Sequence, residues 1–229
     1  MAALTVPAAV DRSPSTMGGS WLLVVAAALL VFYPALRPWS DATPDGAPAA
    51  FTSPAWIPAH LAAVVAFALV AVALFGLRGA LACTPGARPA QLAAAFWTAG
   101  ATVVLPYYGA EAFVLPVIGE RIVRTGDSTL LEVVEAFRMG PWPATTFAAG
   151  LLLLAAAGVL VAVAVTRSGV LPRWAGLLFA LGFALYLPQF FMPPAVRIAH
   201  GVLVGVGCLV LAIAMRRSGL HQRDAGDPV

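Results

Sequence analysis

The chain has 229 residues, 61% of them hydrophobic and only 10% charged, with a mean hydropathy of +0.92. A soluble domain carries about 25% charged residues, so a water-facing surface cannot be built from this composition. The net charge of +3 comes from thirteen arginines and no lysine, set singly at the ends of apolar runs and not clustered with aromatics, which argues against nucleic acid as a partner.

Residues 1–19 read as a disordered cytoplasmic N-tail. A bilayer core takes about 20 apolar residues rising about 1.5 Å each. Runs of that kind place spans near 20–36, 57–77, 91–115, 144–166, 174–192 and 196–216, making 20–217 a six-helix transmembrane domain and 218–229 a disordered cytoplasmic C-tail. The first run also has the length of a signal-peptide core, with Ser40, Asp41 and Ala42 as a loose cleavage site, but the tail before it offers only Arg12 offset by Asp11. It is read as a retained span. The connector from Ser40 to Pro54 is rich in Pro, Gly and Asp and reads as loop. The third connector is the long one: Thr129 and Glu132 have capping-box spacing, and Leu130, Val133, Val134 and Phe137 recur at helical intervals. This predicts a short amphipathic helix with Glu132, Glu135 and Arg138 toward water, lying either on the outer membrane surface or as a lid over the bundle. The expected class is therefore an all-α polytopic membrane bundle of six helices with one short amphipathic helix in the third loop.

Six spans would put Arg12, Arg78, Arg88, Arg167, Arg173, Arg216, Arg217 and Arg223 on one side, and Arg37, Arg121, Arg124, Arg138 and Arg197 on the other. The side richer in arginine is cytoplasmic, which predicts a cell-membrane protein with both termini inside. Spans two, four and six end in Arg78-Gly-Ala-Leu, Arg167-Ser-Gly-Val and Arg217-Ser-Gly-Leu, and spans one, three and five carry Tyr33, Tyr107 and Tyr186 near proline. Three repeated hairpins would explain the echo, and so would the ordinary use of Arg, Tyr and Pro where helices leave a membrane.

On this topology the intramembrane polar side chains all lie toward the outer end: His60, Glu111, Arg197 and His200, with Tyr107, Tyr108, Tyr186 and Gln189 at the same depth. Ionisable groups in a bilayer need partners, and a cluster of Glu111 with Arg197, His60 and His200 would satisfy all four. Such a cluster is either an interhelical network that fixes helix order or a pocket in which Glu111 and His60 act as catalytic acid and base on a lipid or isoprenoid substrate. His60 and His200 could in principle pair as metal or haem ligands, but no ligand-spacing motif supports it, and neither a metal nor a cofactor is expected. Cys83 and Cys208 lack the spacing of a metal site, and no disulfide is expected of them. Expected partners are the lipid bilayer and a lipidic or apolar ligand. Neither a phosphate-cradling loop nor a zinc or nucleophile-elbow motif occurs, so the reading favours a structural, accessory or sensing role, with the intramembrane enzyme as the alternative.

The stretch Arg167-Ser-Gly-Val-Leu-Pro-Arg-Trp-Ala-Gly176, with Val196-Arg-Ile-Ala-His-Gly201, resembles multi-span membrane proteins encoded in GC-rich bacterial genomes. The likeness covers mainly the last third. It implies a multi-pass plasma-membrane location and carries no activity or site residue with it.

Overall fold

The computed structural model describes residues 14–224, with side chains from 18 to 217. Among the described residues the chain is helical, without strands. The helices are α1 (Pro14–Leu36), α2 (Ala47–Phe51), α3 (Trp56–Ala80), α4 (Ala87–Thr125), α5 (Leu130–Met139), α6 (Pro141–Ser168), α7 (Arg173–Ala184) and α8 (Pro194–Asp224). The expected tails are thus helical over 14–19 and 218–224, and their remainders lie outside the described residues. Five helices are long and apolar enough to cross a membrane: Gly18–Leu36, Trp56–Ala80, Ala87–Thr125, Pro141–Ser168 and Pro194–Arg217.

The expected fifth span, 174–192, is not one helix. α7 has only 12 residues and is followed by a 3₁₀ turn at Pro188–Phe191. Pro188 supplies no N–H to a continuing helix, and Met192, which precedes Pro193, is extended, so the segment does not run on as a regular helix. The segment still runs along α6: Gly176 abuts Ala162 and Val165, Gly158 abuts Ala180 and Phe183, and Phe190 meets Phe147 with ring centroids 5.3 Å apart. That register corresponds to about 27 Å of helix rise.

The five long helices and the shorter α7 pack in the order α1, α3, α4, α6, α7, α8 and back to α1, a closed ring. Its two ends differ. One carries Arg78, Arg88, Arg167 and Arg173; the other carries Glu111 and the insertions α2 and α5. The ring's interior is filled by rings: Phe67 touches Trp97, Tyr108 and Tyr186, and Trp97 in turn meets Phe179 and Phe183 while its indole donates to the Phe67 carbonyl at 3.0 Å. The outside is apolar as well, with Val65, Val72, Phe75, Phe96, Leu152, Val159 and Val206 exposed. An apolar surface of that extent needs a non-aqueous neighbour.

α4 and α6 cross in close contact. A Cβ at Gly150 would stand 2.6 Å from Val104 Cγ2 and 3.0 Å from the Gly100 carbonyl oxygen, whereas one at Gly109 would meet nothing within 4 Å. Gly150→Val should therefore lower the melting temperature in detergent by about 5 °C through overpacking, while Gly109→Ala leaves it unchanged or raises it slightly. Equal behaviour of the two variants in a thermal-shift assay would contradict this packing.

Candidate functional site

α1 stops at Leu36 because Pro38 follows Arg37. A 3₁₀ turn at Ser40–Ala42 then folds Asp41 back one turn, where its carboxylate takes two bonds from Arg37, Nη1 to Oδ1 at 3.0 Å and Nη2 to Oδ2 at 2.7 Å. The Trp39 indole donates to the Pro34 carbonyl, closing the end of α1. α3 begins at the fully buried Trp56, whose indole donates to the main-chain carbonyl of Glu111 at 2.7 Å. One turn later His60 directs Nδ1 at the Trp56 carbonyl, 2.8 Å away. A carbonyl only accepts, so Nδ1 carries the proton and a neutral ring turns its bare Nε2 toward Glu111 Oε2, 3.8 Å distant.

The partner of Glu111 comes from α5. Arg138 Nε donates to Oε1 at 2.7 Å and Nη2 to Oε2 at 2.9 Å, a bidentate pair, and Nη2 also reaches Asp41 Oδ2 at 3.0 Å. Burial on its own favours a neutral guanidine, but the bonds and charge of Glu111, then those of Asp41, hold the Arg138 pKa above its ordinary value. Arg37, Asp41, Arg138 and Glu111 thus form one chain of two cations and two anions. It lies between the aromatic interior and a second apolar cluster of Ala47, Ala50, Phe51, Trp56, Leu115 and Val134. Phe51 lies under the Arg138 guanidinium at 5.5 Å, and Trp39 and Trp56 flank that of Arg37 at 4.4 and 4.9 Å.

Two expectations need correcting. Arg138 faces inward while Glu132 and Glu135 stay exposed. In the apolar stripe of α5, Val134 and Phe137 face inward as expected and Leu131 packs beside them, while Val133 is 54% exposed. Thr129 likewise makes no capping bond: both its N–H and its hydroxyl are taken by Asp127, bonds that hold the Asp127 carboxyl below its usual range.

Of the other expected residues, Arg197 is not with Glu111. Its Nε donates to Gln189 Oε1 at 3.1 Å, and its guanidinium stacks on Trp39 and Phe190 at 4.5 and 4.9 Å. His200 Nε2 donates to the Gly182 carbonyl at 2.8 Å. The tyrosine that meets Tyr33 and Tyr186 is Tyr108 and not the expected Tyr107: Tyr33 lies edge-on to Tyr108, and the Tyr108 and Tyr186 hydroxyls are 3.5 Å apart. Tyr33, Tyr186, Gln189, Arg197 and His200 surround a cavity of about 10 Å³, room for one water. Tyr107 points elsewhere, stacked between Phe137 and Phe147 beside a groove of about 270 Å³. Both cysteines are free thiols.

Sequence reasoning missed Arg37, Asp41, Trp56 and Arg138. The i,i+4 spacing of Arg37 and Asp41 was the readable signal for that pair. No family model matches this chain, and no match was found among curated proteins or solved structures.

Glu111→Gln should lower the melting temperature by roughly 6 °C or more, because the amide leaves Arg138 without its counter-ion, an effect of about 3 kcal/mol for a buried pair. Glu111→Leu combined with Arg138→Leu should lose clearly less than the two single changes added together. Strict additivity in the thermal-shift cycle would mean that the two groups are not coupled.

Proposed function

We propose that the chain is a multi-pass protein of a bacterial plasma membrane, in an accessory or sensing role, and that its ionic chain is a latch and not a catalytic centre. One observation carries the reading. Both carboxylate oxygens of Glu111 are occupied by Arg138, which fills the position a substrate would need next to the acid and base candidates. An enzyme acting on a lipid or isoprenoid through Glu111 and His60 would have to open that pair first, at a cost of about 3–5 kcal/mol for a buried ion pair.

The latch ties α5, a helix whose one buried residue is Val134, to α4 and to the connector after α1. Such a lid is well placed to report on what lies beneath it, and with Val133 and Met139 exposed it rests against the headgroup layer.

In this proposal the broken segment of α7 and the following 3₁₀ turn completes a sixth crossing, supported by its register along α6. Both termini are then cytoplasmic. Arg78, Arg88, Arg167 and Arg173 at one end and Arg121, Arg124 and Arg197 at the other form no ion pair among the described residues, while Arg37 and Arg138 are neutralised by carboxylates. The orientation therefore rests on the arginine count along the sequence, eight on the Arg78 side against five, which suits an anionic inner leaflet.

Cys83 is exposed in the connector between α3 and α4, and Cys208 is buried. A membrane-impermeant maleimide should label Cys83 in inverted vesicles and leave intact cells unlabelled, with Cys83→Ser as the blank. Strong labelling of intact cells would reverse the orientation.

A further inference from the structure

We propose that the groove between α4, α5 and α6 binds one acyl chain of an ester lipid from the surrounding bilayer, with the ester carbonyl accepting a hydrogen bond from Tyr107. The proposal rests on the membrane-spanning reading and gives the lid something to sense. The groove encloses about 270 Å³, just under the usual range of about 300–1,000 Å³ for ligand pockets. Val103, Pro106 and Tyr107 form its floor, Pro143 and Thr146 its far wall, and Phe137 of α5 its roof, while Trp142 at the rim is 81% exposed.

Charge decides the occupant. No lining side chain is ionised, so a headgroup phosphate or amine has no partner there, while an alkyl chain gains a continuous apolar wall. Three polar groups line the groove, of which the Trp142 indole N–H stands at the exposed rim. The Thr146 hydroxyl is already spent on the Trp142 and Pro143 carbonyls. The Tyr107 phenol has no protein hydrogen-bond partner among the described residues, although its ring is fixed by stacking at 4.9 and 4.2 Å on Phe137 and Phe147. A pre-positioned donor in an apolar groove calls for an acceptor attached to an apolar chain. Tyr107 lies one helical turn from Glu111, hence near the interface, the depth at which lipid ester carbonyls occur. The lid and the site share a residue pair: Phe137 roofs the groove, and its neighbour Arg138 closes the latch.

The test uses the full chain in phosphatidylcholine vesicles containing a phosphatidylcholine with a diazirine on one ester-linked acyl chain, with cross-links located residue by residue. Label should concentrate on 103–107 and 137–146 above the level at the lipid-facing Leu152. Tyr107→Phe, nearly isosteric, should reduce that excess about fivefold, the value of one hydrogen bond. The ether-linked analogue, which lacks the carbonyl, should label the unaltered protein at this lower level. Val103→Trp, filling the floor, should remove the excess at an unchanged melting temperature; if that variant does not fold, the Tyr107→Phe and ether comparisons decide. Even labelling of all lipid-facing helices, or indifference to both the phenol and the carbonyl, would overturn the proposal, as would displacement of the ester probe by a prenyl quinone at equal concentration. Failure here leaves the Cys83 labelling and the Glu111→Gln melting shift intact, so it is distinguishable from failure of the topology or the latch.

Discussion

The two bonds from Arg138 to Glu111 are the constraint on which the Glu111 end of the bundle depends. An ionised carboxylate on a membrane helix is tolerated only when its charge is met, and here it is met by a residue 27 positions away on a separate helix. The pair is sealed between two apolar regions, the aromatic interior of the ring and the small cluster around Phe51, Trp56 and Val134. Low exposure makes the attraction strong, and it also makes loss of either partner expensive, since the survivor would be a lone buried charge. Asp41 extends the pair into a four-membered chain through its bonds to both arginines, so the connector after α1 is held by the same electrostatics.

Because this chain is balanced, two cations against two anions, it needs neither a counter-ion from solvent nor a proton to stay buried. His60 is a titratable neighbour of this chain, with Nε2 3.8 Å from Glu111. A second proton on that ring would make it a competitor of Arg138 for the same oxygen. The geometry therefore links the protonation of one imidazole to the strength with which α5 is held.

How much of this was readable beforehand differs by level. The all-helical, membrane-crossing character followed from composition and run length, since hydropathy over twenty residues leaves few alternatives. The break in the fifth run was signalled by Pro188, Pro193 and Pro194, but hydropathy is blind to proline and gave that run the weight of a regular helix. That Glu111 needs a partner also followed from its position. Which partner it has did not, because i,i+3 and i,i+4 spacing describes neighbours on one helix and says nothing about the side chain that arrives from another. Arg197 lay at the right depth, yet its guanidinium is held by Gln189 and by the faces of Trp39 and Phe190. Arg138 was expected to face water with Glu132 and Glu135, since nothing in the α5 sequence sets it apart from them; only the tertiary position of two carboxylates turns it inward.

The arrangement of the ring accounts for why the polar groups separate into two sets. Each hairpin, α1 with α3, α4 with α6 and α7 with α8, turns at the Glu111 end, and each turn carries a short helical insertion: α2, α5 or the 3₁₀ segment at Pro188–Phe191. Tyr33 of α1, Tyr108 of α4 and Tyr186 of the turn after α7 meet near the centre. The ionic chain breaks that regularity, since it joins only the first two turns. The third is attached differently, by Arg197 stacked on Trp39, whose opposite neighbour in the stack is Arg37. A run of alternating rings and cations, Phe190, Arg197, Trp39, Arg37 and Trp56, thus carries the connection onward where carboxylates are absent. Each such contact is worth about 0.5–2 kcal/mol, less than a buried ion pair. The third turn is held by these contacts together with the close seating of Gly201 and Gly205 of α8 against Leu30, Pro34 and Ala27 of α1, so there packing takes the place that charge takes at the first two turns.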